Sequence, residues 1–227
     1  SNMKKFKQKA NSSVKKATPR FINLGTYTSP EIIEEQNNEF VKYGADNNYF
    51  GFLNDLFNGS PTNSAAINGI SQLIAGRDIV GCAQTGTGKT AAFLIPVIEH
   101  VLKSKNTGVK ALVIAPTREL AIQIDQQLQG LGYFGGISSI AIYGGKDGTS
   151  WDFEKSSLQG GADVIICTPG RLIAHLNMGY VNFKQLKYLV LDEADRMLDM
   201  GFQDDINKIL AHLPANRQSL LFSATMP

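Results

Sequence analysis

The sequence predicts an α/β domain, a doubly wound and mostly parallel sheet flanked by helices. Three observations carry that expectation. The chain has 227 residues, 43% of them apolar and 19% charged, which suits one sizeable core and excludes wholesale disorder. Six short runs of β-branched and aliphatic residues recur without strict alternation, as in strands covered on both faces. Amphipathic segments of helical period separate them, and alternation repeated this often gives parallel strands joined by crossover helices.

From the N-terminus, residues 1–20 are polar and aperiodic and are expected to form a disordered arm. They hold seven basic side chains (Lys4, Lys5, Lys7, Lys9, Lys15, Lys16, Arg20) and no acidic one. The net charge is only +2, so the remaining residues carry 15 basic against 20 acidic groups. A basic arm on a mildly acidic body suits a polyanionic partner, and equally a plain solvated terminus. Ser1-Asn2 ahead of Met3 reads as an expression scar. Residues 21–60 are expected to be an irregular extension packing on the domain, with an acidic helix candidate at 30–35 and an aromatic cluster of Tyr49, Phe50, Phe52 and Phe57. The domain itself is expected over residues 61–227. Its strands fall at 78–83, 110–115, 138–143, 163–167, 188–191 and 219–222, its helices at 90–102, 118–131, 171–177 and 204–213.

Other chemistries are excluded early. Cys82 and Cys167 lie 85 residues apart without a CxxC, so no disulfide framework or zinc knuckle organises the chain, and a buried thiol is expected at each. His100, His175 and His212 lack metal-ligand spacing. No apolar stretch approaches a membrane span or a secretory signal, and the expected setting is intracellular, cytoplasmic and reducing.

In a doubly wound sheet, ligands bind beyond the carboxyl ends of the strands, so the residues immediately after each run matter most. The first run leads into Ala83-Gln84-Thr85-Gly86-Thr87-Gly88-Lys89-Thr90 and then a helix. Gly86 and Gly88 let successive backbone N–H groups turn toward a phosphate, and the helix N-terminus adds its dipole. Lys89 reaches the β- and γ-phosphates, and the Thr90 hydroxyl suits Mg²⁺. The fifth run delivers Asp192-Glu193-Ala194-Asp195: Asp192 is placed to hold the metal opposite Thr90, and Glu193 to orient or deprotonate the attacking water. The sixth ends in Ser223-Ala224-Thr225, whose hydroxyls suit hydrogen bonds to Asp195. Pro116-Thr117-Arg118-Glu119, Gly144-Gly145 and Thr168-Pro169-Gly170-Arg171 come after the other runs. Each suits a sugar-phosphate backbone, and each is also consistent with a plain helix cap or turn.

Together AQTGTGKT, PTREL, YGG, TPGR, DEAD and SAT, in that order, resemble the first RecA-like lobe of a DEAD-box RNA helicase. The resemblance covers residues 76–227. It implies ATP with Mg²⁺ as cofactors and RNA as partner, remodelled at the expense of ATP. Lys89, Thr90, Asp192 and Glu193 would serve nucleotide, metal and hydrolysis. Pro116, Thr117, Arg118, Gly144, Gly145, Thr168, Pro169, Gly170 and Arg171 would contact the RNA backbone, and Asp195, Ser223 and Thr225 would couple hydrolysis to strand separation. It further implies a second lobe of the same protein, carrying an arginine finger, without which this lobe is expected to be a nearly inactive monomer.

One departure stands out. The family reads adenine with a glutamine in a Pro-Thr-x-x-Gln setting before Gly-Arg-Asp. Counting forward from Pro61-Thr62 reaches Ala65; counting back from Gly76-Arg77-Asp78 reaches Ala66. Neither is Gln, so relaxed base preference is expected. Two readings stay open beside the helicase: a non-hydrolysing RNA- or nucleotide-binding scaffold, against which intact Lys89, Thr90, Asp192 and Glu193 argue, and a DNA translocase on the same fold.

Overall fold

The structure, a computed structural model, describes residues 20–23, 76–82, 89–145 and 148–224. The basic arm as far as residue 19, the helix candidate at 30–35, the aromatic cluster, and Ala65 and Ala66 lie outside the described residues.

Seven strands form one parallel sheet: β1 (Arg20–Asn23), β2 (Ile79–Cys82), β3 (Ala111–Ile114), β4 (Ser139–Ile142), β5 (Val164–Cys167), β6 (Tyr188–Leu191) and β7 (Gln218–Ser223). Their order across the sheet is β1-β2-β7-β6-β3-β5-β4, and each neighbouring pair is parallel. The helices are α1 (Lys89–Lys103), α2 (Arg118–Gly132), α3 (Gly148–Gly160), α4 (Pro169–Asn177), α5 (Ala194–Asp199) and α6 (Gln203–Ala211). The doubly wound parallel sheet expected from the sequence is the architecture found.

The reason lies in how the strands divide their side chains. Ala111 and Val113 of β3 face one core with Val164, Ile166, Val190 and Leu220, roofed by Phe93, Leu94 and Val97 of α1 and Ile124 and Leu128 of α2. Leu112 and Ile114 face the opposite core with Ile165, Leu189 and Leu221, covered by Leu172 of α4, Met197 of α5 and Ile206 of α6. Central strands therefore need apolar residues at every position. On the edge strand β4 only Ile140 and Ile142 are buried, and the pattern returns to alternation. Cys167 belongs to the second core, where burial pushes its thiol pKa up and keeps it protonated.

Three elements depart from the sequence reading. Arg20–Asn23, expected within the disordered arm and irregular extension, pairs with Ile79–Cys82 as β1. Four residues are too few for a period to show, and the partner lies far along the chain. Helix α3 has no counterpart among the expected helices because its burial inverts polarity: Glu154 is fully buried while neighbouring Phe153 is exposed. Helix α5, six residues after an acidic turn, is too short for a period to register.

The N-terminal edge of the sheet is held by two aspartates. Asp163 pairs with Lys110 at the start of β3, and its Oδ2 accepts from Ser138 N and Ser138 Oγ, both at 2.9 Å, at the start of β4. Asp78 Oδ1 accepts from Ser219 N at 2.8 Å, tying β2 to β7. Burial alone would raise the Asp163 pKa, but the Lys110 and Ser138 contacts outweigh it and hold it below the ordinary range. A depressed carboxylate stabilises the fold above its unfolded pKa of about 3.9, and loses that contribution as pH falls through the folded value. We expect Asp163→Asn to destabilise by ~1–3 kcal/mol at neutral pH, since buried Lys110 loses its partner. In urea unfolding, the gap to wild type should begin to narrow as pH falls below about 4 and close only once pH has passed through the lower folded pKa. A gap independent of pH would remove the charge from this account.

Candidate functional site

The C-terminal ends of all strands lie along one edge, and the order β2-β7-β6-β3-β5-β4 divides that edge in two. The strands leading to the glycine-rich segment, Ser223 and Asp192 stand side by side in one half. Those leading to Thr117, Thr168 and Gly144 stand side by side in the other. In sequence these six segments are interleaved; in space they are sorted.

In the first half, Ala83, Gln84, Thr85, Gly86, Thr87 and Gly88 lie outside the described residues, as does Thr225. Lys89 opens α1 with its side chain buried, and Nζ stands 3.1 Å from Asp192 Oδ1. Thr90 follows, partly buried. The backbone N–H of Asp192 donates to Ile114 O at 3.0 Å, which extends the β6–β3 pairing one step past the strand and fixes the carboxylate. Asp192 Oδ1 also accepts from Glu193 N at 3.0 Å. Lys89 Nζ and Asp192 Oδ2 are both buried, and apart from the ion pair neither has a hydrogen-bond partner among the described residues. Burial raises the Asp192 pKa, and the neighbouring Lys89 ammonium opposes it.

Buried polar groups without partners are uncommon, and each asks for a ligand. The donor set fits a hard divalent cation: one orphaned carboxylate oxygen and the hydroxyl of Thr90, with water to complete the shell. The orphaned ammonium fits a phosphate.

Glu193 is the only non-glycine with positive φ among the described residues, at φ 50° and ψ 50°. An L-residue there costs ~1–2 kcal/mol, tolerated at sites that the surroundings over-determine. The turn reverses the chain from β6 into α5 and leaves the Glu193 side chain partly exposed, with Oε2 accepting from Arg196 Nη1 at 3.2 Å. Asp195 lies in the first turn of α5, where Oδ1 accepts from Arg196 N at 3.0 Å. Ser223, buried, ends β7 opposite Cys82 and so stands between the strands that lead to the glycine-rich segment and to Asp192.

The second half has different chemistry. Thr117 caps α2, its Oγ1 accepting from Leu120 N at 3.3 Å, so the helix-cap reading holds for that hydroxyl. Arg118 is exposed, and its Nη1 lies 3.4 Å from where a Cβ on Gly145 would stand. Gly145 has φ +87°, a conformation that favours glycine, and the approach joins PTREL to YGG. Thr168 occupies the cap position of α4 without making a side-chain capping bond, followed by Pro169 as the first helical residue. Gly144 and Gly170 are exposed, and a Cβ at either would meet nothing within 4 Å. Neither packing nor positive φ demands glycine there; open approach to the backbone is what it provides.

Arg171 is less free than the sequence suggests. Its Nε donates to buried Glu154 Oε2 at 2.8 Å, and its guanidinium lies 4.5 Å over the Trp151 ring. Trp151 and Glu154 come from α3, and His175 and Tyr180 complete the cluster. Sequence reasoning does not reach these four residues. The available signal is a lone Trp three positions before a Glu, in a segment with no clear apolar period. Among the described residues no group of three His, Cys, Asp or Glu gathers for a metal, and no helix is long and apolar enough to cross a membrane.

Known proteins share the sequence and the fold of this chain. The family model of the DEAD/DEAH box helicase matches residues 61–227. The chain is similar to the DEAD-box ATP-dependent RNA helicase CshA of Geobacillus kaustophilus, 52% identical over 151 residues, covering 66% of this chain and 32% of that protein. It is also similar to the ATP-dependent RNA helicase CshA of Listeria monocytogenes, 49% identical over 154 residues, covering 68% and 29%. The chain thus spans about a third of the length of these relatives. Among solved structures, the crystal structure of a DEAD box protein from the hyperthermophile Methanococcus jannaschii superposes with a TM-score of 0.66 at 42% identity, covering 71% of this chain and 43% of that one. The chain belongs to the DEAD/DEAH box helicase family, with Asp192-Glu193-Ala194-Asp195 as its DEAD sequence.

Proposed function

We propose that this chain is the ATP-binding lobe of an RNA helicase, in which ATP hydrolysis is coupled to RNA binding and duplex unwinding. The observation that carries the reading is the buried Lys89–Asp192 pair, with an ammonium and a carboxylate oxygen that, apart from the ion pair, have no hydrogen-bond partner among the described residues. Lys89 binds the β- and γ-phosphates, beside the backbone N–H groups of Ala83–Gly88. Thr90 and Asp192 hold Mg²⁺, which when bound neutralises phosphate charge. Glu193, turned out of the strand by its left-handed backbone, orients the attacking water and accepts its proton.

RNA lies on the other half of the edge. Arg118 and Arg171 face its phosphates, and the exposed backbone at Gly144, Gly145 and Gly170 with the Thr168 hydroxyl lets the sugar-phosphate chain approach closely. None of these groups reads a base. Asp195, Ser223 and Thr225 couple hydrolysis to strand separation from within the nucleotide half, where β7 lies between β2 and β6. A second lobe, supplied by the same protein, closes over the nucleotide and contributes the arginine finger. The setting is intracellular.

The central test is in the full-length protein. Glu193→Gln should abolish RNA-stimulated ATP hydrolysis while nucleotide binding persists, and Lys89→Ala should weaken binding itself. Turnover by Glu193→Gln equal to wild type would remove Glu193 from the reaction.

Residues 1–227 alone should unwind essentially no duplex, since an arginine finger is worth ~10³–10⁵ in rate in related NTPases. Robust unwinding by this chain, followed with a strand-displacement assay, would overturn the two-lobe account.

Base selectivity follows from Ala65 and Ala66. An amide can accept from adenine N6 and donate to N7 together, and alanine does neither. Two hydrogen bonds at ~0.5–1.5 kcal/mol each correspond to roughly tenfold to a hundredfold in affinity for ATP. Competition of ATP against GTP, CTP and UTP should show weak preference in the wild type, with Ala65→Gln or Ala66→Gln restoring it. Strong ATP selectivity in wild type, unchanged by either variant, would mean that other groups read the base.

A further inference from the structure

The cluster around Arg171 is built from α3, α4 and Tyr180, which follows α4. Glu154 of α3 is fully buried, and its Oε2 accepts from both Arg171 Nε and His175 Nε2, each at 2.8 Å. His175 Nδ1 meets the Tyr180 hydroxyl. The Trp151 ring stacks on the His175 ring, with centroids 3.9 Å apart and planes 11° apart, and on the same indole lies the Arg171 guanidinium.

The bonds define one tautomer. His175 Nε2–H donates to the carboxylate, and Nδ1 accepts from the tyrosine hydroxyl. Burial lowers the His175 pKa, with Glu154 opposing, in keeping with a neutral ring. The cation paired with the carboxylate is then Arg171, held at Nε. Among the described residues nothing bonds to its Nη1 or Nη2, and the side chain remains 18% exposed. The guanidinium is thus fixed along one edge and one face, with its two terminal nitrogens left for a ligand.

A buried ion pair is a poor way to stabilise a core, because apolar residues of equal volume often do as well or better. An arginine that meets a phosphate from a flexible chain loses side-chain entropy on binding, and one already fixed loses less. We propose that Trp151, Glu154, His175 and Tyr180 are positioning residues, which pre-orient the Arg171 guanidinium for an RNA phosphate. The proposal rests on the proposed function, in which Thr168–Arg171 contacts RNA.

The test uses the 227-residue chain and a fluorescein-labelled single-stranded oligouridine decamer, followed by anisotropy across a salt series at low ionic strength. Trp151 is the sole tryptophan, so its emission reports this cluster directly. Arg171→Ala should weaken binding and reduce the log–log salt slope by about one. Glu154→Ala should weaken binding roughly fivefold or more, through loss of a charged hydrogen bond that holds the arginine. Glu154→Gln keeps an acceptor for the arginine and should restore affinity to near the wild-type value. The double variant Glu154→Ala/Arg171→Ala should bind no worse than Arg171→Ala alone, and RNA should change Trp151 emission in wild type but not in Arg171→Ala.

Wild-type affinity in folded Glu154→Ala, or additive losses in the double variant, would overturn the positioning role while leaving Arg171 as an RNA contact. Unchanged binding in Arg171→Ala would overturn the RNA reading of this segment, and the positioning role with it. If Glu154→Ala does not fold, Trp151→Leu takes its place. Removing the stacking face should then weaken binding about two- to fivefold, and only when Arg171 is present; wild-type affinity in that variant overturns the proposal.

Discussion

Every strand of this sheet runs in the same direction, and helices cover both faces, so polar chemistry gathers where the strands begin and where they end. The two ends are chemically unlike. At the N-terminal ends, Asp78 and Asp163 bind neighbouring strand starts to one another and commit their carboxylates to the fold. At the C-terminal ends, four helices follow strands, beginning at Lys89, Arg118, Pro169 and Ala194. Each presents the positive end of a helix dipole. A body that is mildly acidic over most of its sequence thus has one edge suited to anions, without a large basic patch.

Within that edge, stability and readiness are in opposition. Lys89 and Asp192 are both taken out of water and satisfy each other only in part. Such a pair contributes little to folding, since desolvation offsets the Coulomb attraction. What it leaves among the described residues is an ammonium and a carboxylate oxygen without other hydrogen-bond partners. Glu193 adds a left-handed backbone, tolerated because β6 pins the chain on one side and α5 on the other. The Glu154–Arg171 pair has the same character: the buried carboxylate accepts from Nε of the guanidinium, and nothing bonds the two terminal nitrogens among the described residues.

Much of this is legible in the residues. The six apolar runs at 78–83, 110–115, 138–143, 163–167, 188–191 and 219–222 all coincide with strands to within a residue or two, because burial on both faces of the central strands leaves a signal that needs no alternation. Lys89 and Asp192 are identifiable as site residues because each stands just beyond the C-terminal end of such a run. The features that escape are of two kinds. β1 and α5 are too short for a period to register. Helix α3 is hidden because Glu154 occupies a buried position and Phe153 an exposed one, which reverses the pattern from which amphipathic helices are read. The residues that break the rule are those gathered around Arg171, and a functional constraint is the kind that overrides local consistency.

The sequence by itself determined the fold class, the strand positions and the identity of the groups at each strand end, because burial and turn chemistry act locally and leave their marks in neighbouring residues. Only the tertiary structure decided which of those groups meet. Strand order is a long-range choice: β7, last in the chain, inserts between β2 and β6, and β5 between β3 and β4. That insertion sorts interleaved segments into a half that leads to Lys89, Asp192 and Ser223 and a half that leads to Thr117, Gly144 and Thr168. It brings Lys89 within 3.1 Å of Asp192, far away along the chain. It also sets α3 against α4, so that Glu154 and Trp151 hold an arginine whose sequence neighbourhood carries no sign of them. Contacts between side chains distant in sequence depend on how helices and strands pack, and packing is a property of the whole sheet.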